Sequence, residues 1–506
     1  MLNLAVRNTR KLIREKSKTE NIRLGRLFTK KKTAAWMANM MDTVGRETVT
    51  VLDPGAGTGI LSAAAVERIC TMKGVREIRL TCYENDPVFL PMLENNLLRI
   101  RKKCRHDYGI KLVYSVHNDD FLLAMRDVNL HTLFAPELYS YDYIITNPPK
   151  ELCRKDSEAA SCMPAIFTGA MDLSFLFAAL SVCAMNSGGQ LIALLPSTVS
   201  TASYLAKYRR YMAESTAIER VHLFLNRAKD EKHTETLRKN MIIKYVKSEK
   251  TPEFVRISTC HGDEVGDDVR ILPPLPYEFV VRGESKTLLL PKSRRELDIL
   301  YFVNGLPATV SSLGLKLRNG LTLESRYPDM VRDVPEPGTV PLIHPRAIAD
   351  GQVSLARNTK SSYLFPTIPS LVQKNRNLLL IKRVPAKSEG RHLVCAVYLA
   401  SQFPRYKYIS THNKLLYIDY ADDQKEMSAQ FLHGLYAVLS STLYENYFSI
   451  VSSSKQVSIS DYADLPLPEE RIITAIGANL MMTRTFSRKA CDALASSFLR
   501  IPEEVK

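Results

Sequence analysis

The chain has 506 residues, 45% of them hydrophobic and 24% charged, which predicts two or three globular domains and excludes a disordered or fibrous polypeptide. Its 69 lysines and arginines against 53 acids leave a net charge of +16, a balance that favours a polyanionic partner such as nucleic acid or a membrane surface, with solvated surface charge as the alternative. No uncharged apolar run approaches the roughly 18 residues of a spanning helix, and the N-terminus lacks a signal-peptide core, so a soluble cytoplasmic protein with no membrane partner is expected.

The first forty residues hold eleven basic side chains, Arg7, Arg10, Lys11, Arg14, Lys16, Lys18, Arg23, Arg26, Lys30, Lys31 and Lys32, against Glu15 and Glu20. Such a block reads either as a solvated helix face or as a set of phosphate contacts. From residue 47 the pattern alternates. Strand-like runs at 47–53 and 77–84 are each followed by a helical stretch, at 59–70 and 91–104. Further strand-like runs lie at 111–118, 141–147, 189–196 and 218–224, with a helix over 172–185. This order predicts an α/β fold, a doubly wound and mainly parallel sheet with ligands at the carboxyl ends of its strands. The prolines and polar residues between 251 and 300, including ILPPLP at 271–276, read as a connection, dividing the chain into domains 1–250 and 301–506. The second domain is expected to be α+β, with one helical segment over 429–448. Nine cysteines form no C-x-x-C pair and ten histidines show no ligand spacing, so no metal is expected.

Four motifs fall where predicted strands end. Asp53-Pro54-Gly55-Ala56-Gly57-Thr58-Gly59 is a glycine loop entering a helix, which lets a ligand approach the backbone. Its spacing is neither that of a dinucleotide fold nor of a P-loop, and by itself it equally describes a tight βα turn. Glu84, in Tyr83-Glu84-Asn85-Asp86-Pro87, stands where an acid holds a ribose diol, while Asn85 or Asp86 caps the next helix. In Asn118-Asp119-Asp120-Phe121, Asp120 can accept from an amino group and Phe121 can stack on a ring. Asn147-Pro148-Pro149-Lys150 is a rigid loop whose Asn147 side-chain carbonyl and Pro148 carbonyl can both accept from one planar amino group.

In this order the motifs resemble those of S-adenosylmethionine-dependent DNA methyltransferases acting on the amino group of adenine. In that family the cofactor loop comes first, the catalytic loop second and the target-recognition domain last. The resemblance implies a Rossmann-like domain that binds S-adenosylmethionine through Asp53, Gly55, Gly57, Gly59, Glu84, Asn85, Asp120 and Phe121. It also implies a catalytic loop of Asn147, Pro148, Pro149 and Lys150. Leu24-Gly25-Arg26-Leu27-Phe28-Thr29 resembles the element that closes over the cofactor, which adds Phe28 and Thr29 to that site. Segments 313–322, 340–345, 378–398 and 454–468 resemble the recognition domains of type II modification methylases of the BsuBI/PstI group. There Lys382, Arg383, Lys387 and Arg391 would contact phosphates and Gln456 a base edge. The implied partner is double-stranded DNA, with a cognate restriction endonuclease acting separately.

Two departures affect how the base is held. Lys150 replaces the aromatic that stacks on the extruded adenine, with Phe167 as a candidate substitute, and Asn226-Arg227-Ala228-Lys229 replaces a second aromatic. They leave a weakened or inactive DNA-binding relative as the alternative, alongside methylation of RNA or of protein glutamine.

Overall fold

In the computed structural model the described residues are 1–14, 28–129, 140–226, 237–248, 250–355, 360–386, 389–451, 465–483 and 485–505. They form two compact units, Met1–Lys292 and Ser293–Lys506.

The first unit opens with α1 (Leu2–Arg14) and α2 (Lys31–Asn39). It continues as β1 (Thr48–Pro54), α3 (Ile60–Ile69), β2 (Glu77–Tyr83), α4 (Leu90–Tyr108), β3 (Lys111–His117), α5 (Phe121–Asn129) and β4 (Tyr141–Thr146). After these come α6 (Leu173–Cys183), β5 (Met185–Pro196), α7 (Ala206–Ser215), β6 (Ala217–Leu225), β7 (Leu237–Val246) and β8 (Phe254–His261). In the middle of the sheet β4 is buried along its whole length and β1 from Val51 to Pro54, as expected of strands covered on both faces.

The strand order is β3-β2-β1-β4-β5-β7-β6-β8. Among these eight strands every pairing is parallel except those of β7, which lies antiparallel between β5 and β6. The doubly wound, mainly parallel sheet expected from the sequence is therefore present. The order reverses between β1 and β4, and at such a switch point the flanking loops part to leave a crevice.

The expected connection over 251–300 is corrected. Strand β8 pairs in parallel with β6 over Arg256–His261, and Val255, Ile257 and Cys260 are buried, so residues up to Lys292 belong to the first unit. The proline-rich stretch that suggested a linker instead supplies the edge strand Leu275–Pro276, antiparallel to the start of β8.

The second unit starts with α8 (Arg294–Asn304), whose N-cap Ser293 accepts from the Glu296 amide. Its main sheet runs Leu315–Asn319, Leu415–Tyr420, Leu378–Lys382, Cys395–Tyr398, Gln352–Val353 and Ile348–Ala349 in spatial order, and a second sheet is built on Val340–Ile343 and Tyr408–Thr411. The helical layer is α9 (Ala429–Ser440), α10 (Thr442–Val451), α11 (Glu470–Thr483) and α12 (Arg488–Leu499). The single helix expected over 429–448 is thus two. Ser441 is extended, and Asp492 on α12 accepts from both the amide and the hydroxyl of Thr442, which starts a new helix there.

Helices α9 and α11 cross glycine on glycine. A Cβ on Gly434 would stand 1.7 Å from the carbonyl oxygen of Ile473, and one on Gly477 1.7 Å from that of Gln430. Alanine gains up to about 1 kcal/mol over glycine in a helix, whereas overpacking against rigid backbone costs about 1–3 kcal/mol or more. The clash wins, and Gly434→Ala should lower stability by about 2 kcal/mol or more in chemical denaturation. A neutral or stabilised variant would contradict the close crossing.

Candidate active site

The glycine loop leaves β1 with Gly55, Gly57 and Gly59 at φ 74°, 56° and 81°, the left-handed region. At Gly57 a Cβ would lie 3.2 Å from the Phe28 ring, so glycine there admits the aromatic that packs over the loop. The amides of Gly55 and Ala56 donate to the carbonyl of Tyr83 at 2.9 and 2.8 Å, which fastens the loop to the end of β2. Glu84 completes the attachment, accepting from the Gly57 amide at 2.6 Å on one oxygen and from the Asp86 amide at 2.8 Å on the other. Each carboxylate oxygen has two lone pairs, so both retain capacity for a ribose hydroxyl. A clamp not anticipated from sequence comes from α1. Thr9 Oγ1 meets Thr58 Oγ1 at 2.6 Å, Asn96 Nδ2 donates to the Thr58 carbonyl at 2.8 Å, and Asn8 Nδ2 donates to Asn96 Oδ1 at 2.7 Å.

Asp53 is wholly buried. Its Oδ2 accepts from Ser62 Oγ at 2.5 Å, while its buried Oδ1 has no hydrogen-bond partner among the described residues. Burial, reinforced by the nearby charge of Glu84, pushes its carboxyl from 3.8 to about 7. A buried acid oxygen lacking a donor beside a glycine loop suits a cationic group, and the α-ammonium of S-adenosylmethionine is such a donor. The residues present therefore fit that cofactor.

The remaining cofactor candidates are placed as follows. Asn85 is exposed, and neither it nor Asp86 caps the next helix, because α4 starts only at Leu90; Asp86 Oδ1 accepts from the Val88 amide in a preceding turn. Asp120 accepts from the amides of Leu122 and Leu123, acting as the cap of α5. Phe121 is 3% exposed and lies in an aromatic group, edge-on to Tyr83 at 5.5 Å and tilted to Phe177 at 5.3 Å, with Tyr83 stacked on His117 at 4.9 Å. It is a wall of the crevice more than an open platform. Tyr83, His117 and Phe177 were missed, since in the sequence they are ordinary strand and helix residues.

The second loop leaves β4 directly across the switch point. Thr146 Oγ1 donates to the carbonyl of Pro54 at 2.9 Å, joining the ends of β4 and β1. Pro148 is buried, Asn147 and Pro149 are half-buried, and Lys150 is exposed. Asn147 Nδ2 donates to Thr29 Oγ1 at 3.1 Å, and Lys150 Nζ donates to Asn147 Oδ1 at 3.3 Å. Thr29, expected at the cofactor, thus orients the Asn147 amide; a contact across 118 positions leaves no local signal. Phe28 packs edge-on against Phe89 at 5.2 Å. The proposed substitute for the missing aromatic is corrected: Phe167 is 1% exposed and lies in the core, offering no open face. Arg227-Ala228-Lys229, Leu24–Leu27, Lys387 and Gln456 lie outside the described residues.

No family model matches the chain. The type II methyltransferase M.PstI of Providencia stuartii is 24% identical over 497 residues, covering 95% of this chain and 93% of that protein. The type II methyltransferase M.BsuBI of Bacillus subtilis is 25% identical over 476 residues, 91% of this chain and 90% of its own. This chain is similar to type II methyltransferases along almost its whole length. The resemblance to type II modification methylases read from the sequence is borne out, and it spans both units. Among solved structures, the type IIL restriction-modification enzyme MmeI in complex with DNA overlaps 100% of this chain and 72% of its own, at 11% identity and a TM-score of 0.45.

Several basic side chains expected at phosphates have acidic partners within the protein. Lys30 pairs with Asp263 at 2.9 Å, Lys32 with Asp267 at 2.9 Å, and Lys382 with Glu389 at 2.7 Å. In the second unit Glu324, His344 and His412 bring one potential ligand atom each within 4.8 Å of the others, a grouping that spacing alone could not reveal. Both rings already have backbone partners there, His344 Nε2 at the Ser361 carbonyl and His412 Nδ1 at the Lys414 amide. Among the described residues no helix is long and apolar enough to cross a membrane.

Because the folded state raises the Asp53 pKa, folding takes up a proton there between about pH 4 and about pH 7, and stability falls as pH rises through that window. A rise from 3.8 to about 7 corresponds to at most about 4 kcal/mol. Asp53→Asn should therefore raise the melting temperature at pH 8, change it little near pH 4, and weaken S-adenosylmethionine binding. Equal stabilisation at both pH values would show that the buried charge is not the cause.

Proposed function

We propose that this protein is a site-specific DNA methyltransferase that moves a methyl group from S-adenosylmethionine to the exocyclic amino group of adenine in duplex DNA, as the modification part of a restriction-modification system. The observation that carries this reading is the Asn147 amide. It is oriented by Thr29 at the carboxyl end of β4, across the switch point from a glycine loop and a buried acid suited to an ammonium. The similarity to M.PstI and M.BsuBI over both units supports it.

The target nitrogen lies inside the base stack, so the nucleotide is flipped into the crevice. Asn147 Oδ1 and the Pro148 carbonyl accept from the amino group, concentrate lone-pair density on nitrogen and fix its direction of attack. Asp53 and Glu84 hold the cofactor, with Asp120 and Phe121 around its adenine. The cofactor supplies an electrophilic methyl group. Residues 293–506 are the target-recognition part, and the protein acts in the cytoplasm.

Asn147→Ala should reduce methyl transfer to duplex DNA by about a thousandfold or more while cofactor and DNA still bind, the pattern of an interaction made mainly in the transition state. Thr29→Val should lower the rate by about tenfold, through loss of one orienting hydrogen bond, without changing DNA affinity. Transfer from labelled cofactor to duplex DNA, RNA and protein, assayed in parallel, tests the substrate class. Product on RNA or protein alone would replace this reading. Binding to DNA should weaken at least about tenfold between about 50 and 200 mM salt; salt-independent affinity would exclude a phosphate-contacting surface.

A further inference from the structure

Lys150 occupies the place where the resemblance calls for an aromatic ring, and its ammonium sits on the amide that the proposed reaction uses. Nζ is 3.3 Å from Asn147 Oδ1, and Thr29 holds the other end of that amide through Nδ2, so Oδ1 stays turned toward the lysine. Pro148 and Pro149 fix the backbone between the two side chains. A carbonyl oxygen has two lone pairs, so a substrate amino group accepted at Oδ1 shares this oxygen with Nζ. Two nitrogens on one oxygen stand about 4–5 Å apart at ordinary hydrogen-bond lengths, a gap that a change of lysine rotamer closes.

We propose that Lys150 is the proton acceptor of methyl transfer, yielding Oδ1 to the substrate amino group and then taking the proton that this nitrogen sheds. The proposal rests on the amino-methyltransferase reading above. The step is a proton transfer. As the amino nitrogen gains its methyl group, one N–H bond breaks, its electron pair stays on nitrogen, and the proton bonds to the lone pair of uncharged Nζ, giving an ammonium that returns to solvent exchange.

The surroundings of Lys150 suit this role. Lys150 is exposed as a residue, but the protein packed around the ammonium that faces Asn147 costs it hydration, which lowers the pKa from 10.5 to about 8, opposed by the charge of Asp172 at the start of α6. Asp172 is itself engaged as the cap of α6, accepting from the amide and hydroxyl of Ser174. A lysine with its ordinary pKa would be almost wholly charged at neutral pH; here the uncharged form is accessible, and its share grows as pH rises through about 8. An aromatic ring would grip the flipped base more firmly but could take no proton.

The test measures single-turnover methyl transfer to duplex DNA by the full chain from about pH 6 to about pH 10 for the wild type, Lys150→Met and Lys150→Arg. Acetic anhydride labelling of Lys150, read by mass spectrometry without substrate, gives its titration directly. The wild-type rate is expected to rise nearly tenfold per pH unit below about 8 and level off above, with a labelling midpoint near 8. Both variants should lose at least about tenfold in rate at pH 8.5 and lose the slope, while duplex affinity of Lys150→Arg stays within about twofold. A Lys150→Met protein with the wild-type rate and profile overturns the proposal, as does a labelling midpoint near 10.5. Absence of transfer by the wild type to DNA at every pH, with labelling still near 8, overturns the reading underneath and the proposal with it, and is recognisable as that separate failure.

Discussion

Thr146 and Pro54, hydrogen-bonded across the seam where the strand order reverses, set the distance between the two loops on which the site depends. In a sheet whose order ran on without reversal, the loops after β1 and β4 would be followed by crossovers on the same side and would close over one another. Here they diverge, and the glycine loop and the Asn-Pro-Pro loop face one crevice from opposite sides. Every other contact in the site refines this arrangement. Glu84 ties the first loop to β2, and Thr29 fixes the amide of the second.

Two ionisable groups on either side of that crevice are displaced toward neutral pH by the same cause. Asp53 is raised and Lys150 lowered chiefly because both lose hydration. A site of this kind holds its charges loosely until a ligand arrives. An ammonium brought beside Asp53 stabilises its ionised form, whereas an uncharged amino group at Asn147 leaves Lys150 free to exist without its proton.

The parts of the fold legible in the sequence were those whose signal is local. Apolar runs punctuated by glycine and proline located β1 to β4 and placed Asp53, Glu84 and Asn147 at strand ends, because backbone geometry there depends on neighbouring residues. What escaped was made by residues distant in the chain. Thr29 and Asn147 meet over 118 positions, and Thr9 and Thr58 over 49. Strand β8 was obscured by its surroundings: VRISTC mixes polar and apolar residues near one end of the sheet, beside prolines that also mark linkers. The break at Ser441 depended on a cap from Asp492, fifty residues away, and no helix propensity predicts it.

The bond set that joins α1 to the glycine loop has a consequence for how such chains diverge. Thr9 and Thr58 meet hydroxyl to hydroxyl, Asn8 donates to Asn96, and the backbone carbonyl of Thr58, accepting from Asn96, joins the two pairs. Replacing Thr9 or Thr58 alone strands a buried hydroxyl, so that pair drifts most easily together, while Asn96 is held by the carbonyl it serves. Residue 9, remote from any strand end, is thereby bound to the ancestry of the loop it supports, and related chains would be expected to exchange Thr9 and Thr58 together or keep both.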